Sequence, residues 1–283
     1  MTEILKGKPV ADAIKADIVE RVNKLKDREV NPKLCVVRLG ANPNDISYEK
    51  GILKNADKLG ILTEVIEMEE SSTTEDLLDL FDKLNANKEI SGILLFRPLP
   101  RHIDENLIRN KIDPSKDVDC MNPYNLAKVF EGDFSSMVPA TPMAAMKMLE
   151  HYGVELEGKN VLVINRSLVF GKPIAMMLLR KNATVTIAHS RTQNLEELTN
   201  KADVVIVAIG RMGSLDKKFF NEKSIIIDVG VSANSEGKVG GDANFDELED
   251  YVNKITPVPG GVGSITTSLL FDQVVKAAEI QNK

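Results

Sequence analysis

Side chains able to bind a phosphorylated nucleotide follow an apolar run in the middle of the chain. Residues 160–164 are predicted as a buried strand that leads into Asn165, Arg166 and Ser167, after which Gly171 begins a helix. A dinucleotide-binding βαβ unit places its phosphate loop here, with the pyrophosphate at the helix N-terminus. The three-glycine GxGxxG pattern is absent, since Gly171 alone remains of it. Taken alone, the segment is equally typical of an ordinary strand-to-helix turn.

The end of the next predicted strand, residues 184–188, indicates which nucleotide would bind. An NAD site usually has Asp or Glu there to bind the ribose 2′-hydroxyl. Here His189, Ser190, Arg191 and Thr192 follow the strand, and none of them is acidic. Basic and hydroxyl groups suit a 2′-phosphate, which Arg binds through two hydrogen bonds. We therefore expect NADP, with NAD as the alternative cofactor. These residues could also be solvated loop residues, but their placement at the ends of two adjacent strands disfavours that interpretation.

The first half of the chain offers an aromatic ring and two carboxylates. Tyr48 lies on a predicted helix over residues 46–59, where it could stack on a planar ligand or hydrogen-bond to it. A surface tyrosine that packs on its neighbours is the alternative. Asp117 and Asp119 lie in a predicted irregular loop over residues 113–123. They could bind a ligand, or they could cap a helix or form a salt bridge.

A loop near the C-terminus combines two prolines with three glycines between residues 257 and 263. Glycine permits backbone conformations closed to other residues, and proline fixes its own φ. Pro259, Gly260 and Gly261 therefore form a rigid backbone that a flat ligand could approach closely. A plain turn before the terminal helix, predicted over residues 264–278, is the alternative.

Helix and strand patterns alternate around these residues in two sets, which predicts an α/β protein with parallel sheets wrapped by helices. A domain junction is expected near residues 135–142. Strands are predicted at residues 33–39, 62–67, 91–95, 160–164, 184–188, 203–208 and 224–229. Helices are predicted at residues 10–25, 46–59, 74–84, 143–152, 173–181, 195–200 and 264–278.

The overall composition excludes several classes of function. The 283 residues are 43% hydrophobic and 28% charged, which fits one large or two medium globular domains. A net charge of −6 gives no support to nucleic-acid binding, and no apolar run approaches the roughly 20 residues that span a membrane. Cys35 and Cys120 are far apart and are expected to be free buried thiols in the cytoplasm. The three histidines lack metal-ligand spacing, so we expect no metal site.

Seven segments, in order along essentially the whole chain, resemble the methylenetetrahydrofolate dehydrogenase/cyclohydrolase family. The resemblance implies a folate domain (residues 1–139 plus 266–283), a Rossmann-like NAD(P)-binding domain (140–265), a cleft between them and a cytoplasmic homodimer. The segments are residues 92–100 (GILLFRPLP), 116–125 (KDVDCMNPYN), 139–142 (PATP), 163–173 (VINRSLVFGKP), 228–231 (DVGV), 241–245 (GDANF) and 256–266 (TPVPGGVGSIT).

The resemblance also implies roles for individual positions. Tyr48 corresponds to the residue that stacks on the pterin of the folate, and Asp119 to the one that hydrogen-bonds it. Residues 259–261 correspond to the loop beside the substrate and the nicotinamide. Arg166 and Ser190 correspond to the arginine and serine that bind the cofactor phosphate in NADP-using members. The other expected cofactor-binding positions are Asn165, Ser167, Gly171, Arg191 and Gly230.

Two departures from the family pattern concern hydrolysis. Ile52 stands where bifunctional members have the lysine that is essential for the cyclohydrolase reaction, and Phe96 stands where a glutamine supports that lysine. Lys54 is close in sequence, but residues two apart on a helix point in nearly opposite directions. Hydride transfer needs orientation rather than a protein acid or base, whereas hydrolysis needs proton transfer.

We therefore expect NADP-dependent oxidation of 5,10-methylenetetrahydrofolate to the methenyl compound in one-carbon metabolism, with weak or absent cyclohydrolase activity. Tyr48, Ile52, Lys54, Phe96 and Asp119 are the positions that would decide the catalytic properties. Two alternatives stay open. One is a bifunctional enzyme that has recruited another group such as Lys54, and the other is a folate- or nucleotide-binding protein that has lost catalysis.

Overall fold

A computed structural model describes residues 1–234 and 237–283, and its residues fall into two units. The six-stranded unit comprises Met1–Asp12, Phe130–Gly132 and Pro139–Thr266. The three-stranded unit comprises Ala13–Val129, Asp133–Val138 and Thr267–Lys283. The first twelve residues thus belong with the later part of the chain, whereas the predicted folate domain included them. The predicted boundaries of the folate domain and the cofactor domain describe function rather than compactness, and they stay a prediction.

The central strands of the six-stranded unit, Asn160–Ile164, Val204–Val207 and Ile225–Asp228, are apolar and buried along most of their length, as expected where helices cover both faces of a parallel sheet. All pairings in the sheet are parallel, in the order β1-β11-β8-β7-β5-β6. A short antiparallel pair, β9 with β10, lies outside it. The strands are β1 (Glu3–Ile4), β5 (Asn160–Ile164), β6 (Thr184–Ala188), β7 (Val204–Val207), β8 (Ile225–Asp228), β9 (Ser232–Ala233), β10 (Val239–Gly240) and β11 (Lys254–Ile255). The helices are α6 (Ala140–His151), α7 (Gly171–Arg180), α8 (Leu195–Lys201) and α9 (Phe245–Leu248).

The three-stranded unit has a parallel sheet in the order β3-β2-β4, with hydrophobic clusters around it. One cluster joins Ile18, Ile52 and Phe271 to the sheet, and a second contains Phe81 and Ile108. The strands are β2 (Lys33–Leu39), β3 (Leu62–Met68) and β4 (Gly92–Leu95). The helices are α1 (Gly7–Lys26, which begins in the other unit), α2 (Pro43–Leu59), α3 (Thr74–Ala86), α4 (Glu105–Lys111), α5 (Pro123–Phe130) and α10 (Thr266–Gln281).

The helix that carries Tyr48 has both ends fixed locally. Asn42 accepts a hydrogen bond from the Asn44 N–H at the start of α2, and Pro43 occupies the first turn. Gly60 ends the helix with φ of 72°, a conformation that favours glycine. The side-chain register of α2 is therefore set by its own sequence.

The α/β class and the parallel sheets are confirmed, and the longer predicted elements are found within a few residues of their expected bounds. The helices α4, α5 and α9 were not predicted, whereas α8, which also has only seven residues, was. The last helix begins at Thr266 instead of residue 264, since Val262–Ser264 form a 3₁₀ turn. Among the described helices, none is long and apolar enough to cross a membrane.

Both cysteines are free and buried, as predicted. Burial raises the pKa of the Cys35 thiol to about 12 and also raises the pKa of Cys120. Because the thiolate is the nucleophile, both side chains behave as small apolar groups.

Candidate functional site

The turn between β5 and α7 is organised by one side chain, Asn165. Its Oδ1 accepts hydrogen bonds from the Ser167 N–H (2.7 Å) and the Gly171 N–H (3.1 Å), and its Nδ2 donates to the Ala208 carbonyl (2.5 Å). The Ser167 hydroxyl accepts from the Phe170 N–H at 3.1 Å. Asn165 and Ser167 therefore shape the loop that would hold a phosphate, although glycines are usual at such positions.

Two glycines allow the chain to pack closely at the carboxyl ends of the strands. A Cβ added to Gly171 would lie 2.1 Å from the Asn165 carbonyl oxygen, so only glycine lets α7 begin this close to β5. A Cβ on Gly230, after β8, would lie 2.0 Å from an Asp242 carboxylate oxygen. Close packing against Asp242 therefore already requires glycine at position 230, and its expected role in cofactor binding stays a prediction.

The register of β5 and β6 brings the three phosphate-binding candidates to one edge of the sheet. Ile164 pairs with Ala188, so Arg166 and Ser190 each stand two residues beyond a paired position. The following turn is held by His189 and Thr192, since the His189 N–H donates to Thr192 Oγ1 (2.8 Å) and the Arg191 N–H donates to His189 Nδ1 (3.1 Å). Within residues 1–234 and 237–283, the exposed side chains of Arg166, Ser190 and Arg191 form no hydrogen bond or ion pair. They place two guanidinium groups and a hydroxyl at this edge, and none of residues 189–192 is acidic.

The proline- and glycine-rich loop is tied to the start of α1. The Gly7 N–H donates to the Gly260 carbonyl at 2.8 Å, and Gly260 has φ of 100°. The Ser264 hydroxyl donates to the Gly261 carbonyl at 2.7 Å. Pro259 lies on the wall of a cavity of about 300 Å³, which is also lined by segments 212–213, 238–241 and 243–246. The loop is thus a fixed surface beside a cavity.

Tyr48 stands over an apolar surface in the three-stranded unit. Its side chain is 51% exposed, and its ring centroid lies 5.5 Å from that of Phe96 at a tilt of 38°. Ile52, one turn further along α2, is 0% exposed, and Phe96 is 8% exposed in the same hydrophobic cluster. The Tyr48 ring therefore contacts the apolar Phe96 side chain, while about half of its surface stays exposed and available for stacking.

Lys54 does not share this surface. It is exposed on α2, two residues beyond the buried Ile52. Two residues correspond to about 200° around a helix, so the two side chains leave it in nearly opposite directions. Lys50 is also exposed and stands two residues before Ile52.

The two aspartates of the 113–123 loop have different surroundings. Asp117 is buried and accepts hydrogen bonds from the Met121 N–H (2.9 Å), the Asn122 N–H (2.7 Å) and Asn125 Nδ2 (3.0 Å). It therefore holds the loop together. Asp119 has a side chain 31% exposed and accepts from Arg97 Nη2 at 2.6 Å. Asp119 thus forms the salt bridge that was considered for these carboxylates, whereas Asp117 stabilises the loop and does not cap a helix.

Arg97 was not singled out in the sequence, yet it is the direct partner of Asp119. Desolvation raises the pKa of Asp119, and the Arg97 guanidinium opposes that rise. Desolvation also raises the pKa of Tyr48, with a further contribution from the Asp119 carboxylate. Tyr48, Phe96, Arg97 and Asp119 therefore form one cluster, which we call the aromatic–ion-pair cluster. The only signal for Arg97 in the sequence is its position directly after Phe96.

The parallel sheet with a tight strand-to-helix turn defines the six-stranded unit as a dinucleotide-binding domain. Residues 139–282 match the family model "Tetrahydrofolate dehydrogenase/cyclohydrolase, NAD(P)-binding domain", and residues 5–119 match the catalytic domain of the same family. The chain belongs to the tetrahydrofolate dehydrogenase/cyclohydrolase family. It is an enzyme of that family, a dehydrogenase with an NAD(P) cofactor and a tetrahydrofolate substrate.

Individual relatives match over nearly the full length. The bifunctional protein FolD of Clostridium botulinum is 49% identical over 279 residues, which cover 99% of each chain. The crystal structure of the bifunctional FolD of Campylobacter jejuni is 37% identical, with a TM-score of 0.95 and 99% of each chain covered. A Trypanosoma brucei FolD complexed with NADP and an inhibitor is 31% identical, with a TM-score of 0.91 over 100% of this chain and 99% of that one.

Proposed function

We propose that the protein oxidises 5,10-methylenetetrahydrofolate to 5,10-methenyltetrahydrofolate with NADP, and that it hydrolyses the product weakly or not at all. The observation that carries this proposal is that Ile52 and Phe96 are both apolar, whereas Tyr48 and Asp119 have the side chains that the resemblance assigns to folate binding. Tyr48 and Asp119 remain available for the pterin, while no group able to move a proton stands at position 52.

The residues at the strand ends fit an NADP molecule. Gly171 lets α7 begin directly against the Asn165 turn, and within the described residues the Arg166 and Ser190 side chains form no contact that would compete with a 2′-phosphate. NADP, when bound, supplies the hydride acceptor. Tyr48 would stack on the pterin, and Asp119 would accept its N–H groups. We propose, as the family resemblance implies, that Pro259, Gly260 and Gly261 contact the substrate. The folate nitrogen lone pair would then expel the hydride from the methylene carbon, a step that needs no protein acid or base.

We further propose that residues 1–139 with 266–283 act as the folate domain and residues 140–265 as the cofactor domain. Cytoplasmic location stays a prediction from the sequence. A second candidate function is the bifunctional reaction, which is favoured by the names of the Clostridium botulinum and Campylobacter jejuni relatives. An assay that follows methylene oxidation and then methenyl hydrolysis separates the two functions. A protein that catalyses neither step would be the non-catalytic binding protein.

We predict that Tyr48→Ala and Asp119→Ala each weaken folate binding by about tenfold or more, because stacking and charge-assisted hydrogen bonds are lost. The measurement is the dissociation constant for tetrahydrofolate, with NADP affinity and the melting temperature as controls. Unchanged folate affinity in either variant would assign that residue a purely structural role.

We also propose a homodimer formed through β6. This strand ends the six-stranded sheet, and residues 184–188 (TVTIA) include no charge and no proline. Thr184, Thr186 and Ile187 are exposed. Natural sheets protect free edges with charges, prolines or bulges. The edge strand β3 follows that rule with Glu64 and Glu67, whereas β6 does not, which favours a second copy as its cover.

The dimer is tested by Thr186→Lys, which places a charge on this edge. We expect the unmodified protein to have twice the 31.2 kDa chain mass in light scattering, and the variant to dissociate. Leu62→Lys on the exposed part of β3 is the matched control and should leave the mass unchanged. A monomeric unmodified protein would refute the proposal.

A further inference from the structure

Arg97 introduces a cation into the aromatic–ion-pair cluster. Its Nη2 donates to Asp119 Oδ2 at 2.6 Å, and its Nη1 lies 3.5 Å from Glu105 Oε1 at the start of α4. The side chains of Arg97 and Asp119 are each 31% exposed, so both border solvent. The guanidinium has five N–H donors, and most of them remain available.

Only one of the two Asp119 carboxylate oxygens accepts a hydrogen bond within the described residues. Within the described parts of the chain, Asp119 Oδ1 accepts no hydrogen bond, and Oδ2 is bonded to Arg97 alone. The pair therefore presents donors and an acceptor side by side, next to the Tyr48 ring. A ligand that complements both groups must carry an acceptor adjacent to a donor on one edge of a planar ring.

The amide edge of a pterin has this pattern, with a carbonyl oxygen at C4 followed by the N3–H and the 2-amino group. We propose that Arg97 is a specificity-determining residue that donates a hydrogen bond to the 4-oxo group, while Asp119 accepts from the neighbouring N–H groups. The inference rests on the proposed folate site. Its consequence is selection against 4-amino pterins, because an amino group at C4 would point N–H bonds at a guanidinium.

The test compares folic acid with its 4-amino-4-deoxy analogue as binding probes for the full-length protein. Arg97→Leu removes the donors, Arg97→Lys keeps one charged donor, and Arg101→Leu is the matched control. Arg101 is exposed four residues further along and forms no hydrogen bond or ion pair within the described residues. Calorimetry gives the dissociation constants of both probes for each protein. Dividing the probe preference of the unmodified protein by that of each variant isolates the contribution of Arg97.

We expect the unmodified protein and Arg101→Leu to prefer the 4-oxo probe. In Arg97→Leu the preference should fall by at least about tenfold, since a hydrogen bond to a charged group is lost. Arg97→Lys should be intermediate, because lysine lacks the planar fork. An unchanged ratio, with both probes still bound, would overturn the inference and leave the folate site intact. Failure of the unmodified protein to bind either probe would refute the folate assignment, and this inference with it.

A pH profile gives an independent measurement. Arg97 is the charged group that acts on the pKa of Asp119, and the Asp119 charge in turn acts on Tyr48, Asp117 and Cys120. Glu105, at the start of α4, is the second carboxylate beside Arg97. Arg97 opposes the rise in the Asp119 pKa that desolvation causes, so Arg97→Leu should raise that pKa further. Affinity for folic acid should then be lost at a higher pH as the solution is acidified. A profile that matches Arg101→Leu would contradict direct contact between Arg97 and the site.

Discussion

The unmodified protein is expected to oxidise methylenetetrahydrofolate while hydrolysing methenyltetrahydrofolate no faster than about the spontaneous rate. A positioned acid or base contributes roughly 10²–10⁴-fold to such a step, and Ile52 cannot move a proton. The burial of Ile52 in the hydrophobic cluster strengthens the argument, because water has no access to its side chain. Following the formation and decay of the methenyl compound by absorbance, with a protein-free control, measures both steps.

Restoring both missing groups should separate the two activities. We expect Ile52→Lys combined with Phe96→Gln to raise hydrolysis by about 10²-fold or more, without a comparable gain in oxidation. Ile52→Lys alone should do little and should lower stability, since a buried lysine without a partner is costly to charge. The melting temperature of each variant distinguishes poor folding from poor chemistry.

Lys54→Ala is the informative control for this prediction. Lys54 is exposed on a different side of α2 from Ile52, so its removal should leave both activities unchanged. Robust hydrolysis by the unmodified protein that disappears in Lys54→Ala would contradict the proposal and support the recruited-lysine alternative.

Cofactor choice should depend strongly on Arg166. We expect Arg166→Ala to weaken NADP binding about tenfold to a hundredfold and NAD binding much less, because NADP alone carries the 2′-phosphate. Ser190→Asp should reject NADP more completely, since it places a carboxylate at the acid-free strand end. Titration of each protein with both nucleotides makes NAD the internal control. Equal losses for the two cofactors, or a preference of the unmodified protein for NAD, would contradict the assignment.

Local sequence was enough to predict the fold class because the strands and longer helices carry complete periodic patterns. The strand 160–164 was located to the residue, and its parallel partner 184–188 was too. Short elements were missed where pairing partners are distant. Glu3–Ile4 is a strand only because it pairs with Lys254–Ile255, some 250 residues later.

Some residues of the candidate site could also be predicted from local sequence, whereas others could not. Residue type and position placed Arg166 and Ser190 at neighbouring strand ends, since parallel strands in register bring their carboxyl ends together. The contact between Arg97 and Asp119 could not be foreseen. It joins residues 22 positions apart whose separation is set by the paths of two loops.

By itself, then, the sequence determined the two α/β sets, the acid-free edge at Ser190 and the apolar residues at positions 52 and 96. These follow from side-chain chemistry and local periodicity, which act over a few residues. Only the tertiary structure decided that Ile52 has no exposed surface, that Asn165 shapes the turn before α7, and that Arg97 holds Asp119. Such contacts depend on strand register and loop path, because packing brings together side chains that no local pattern relates.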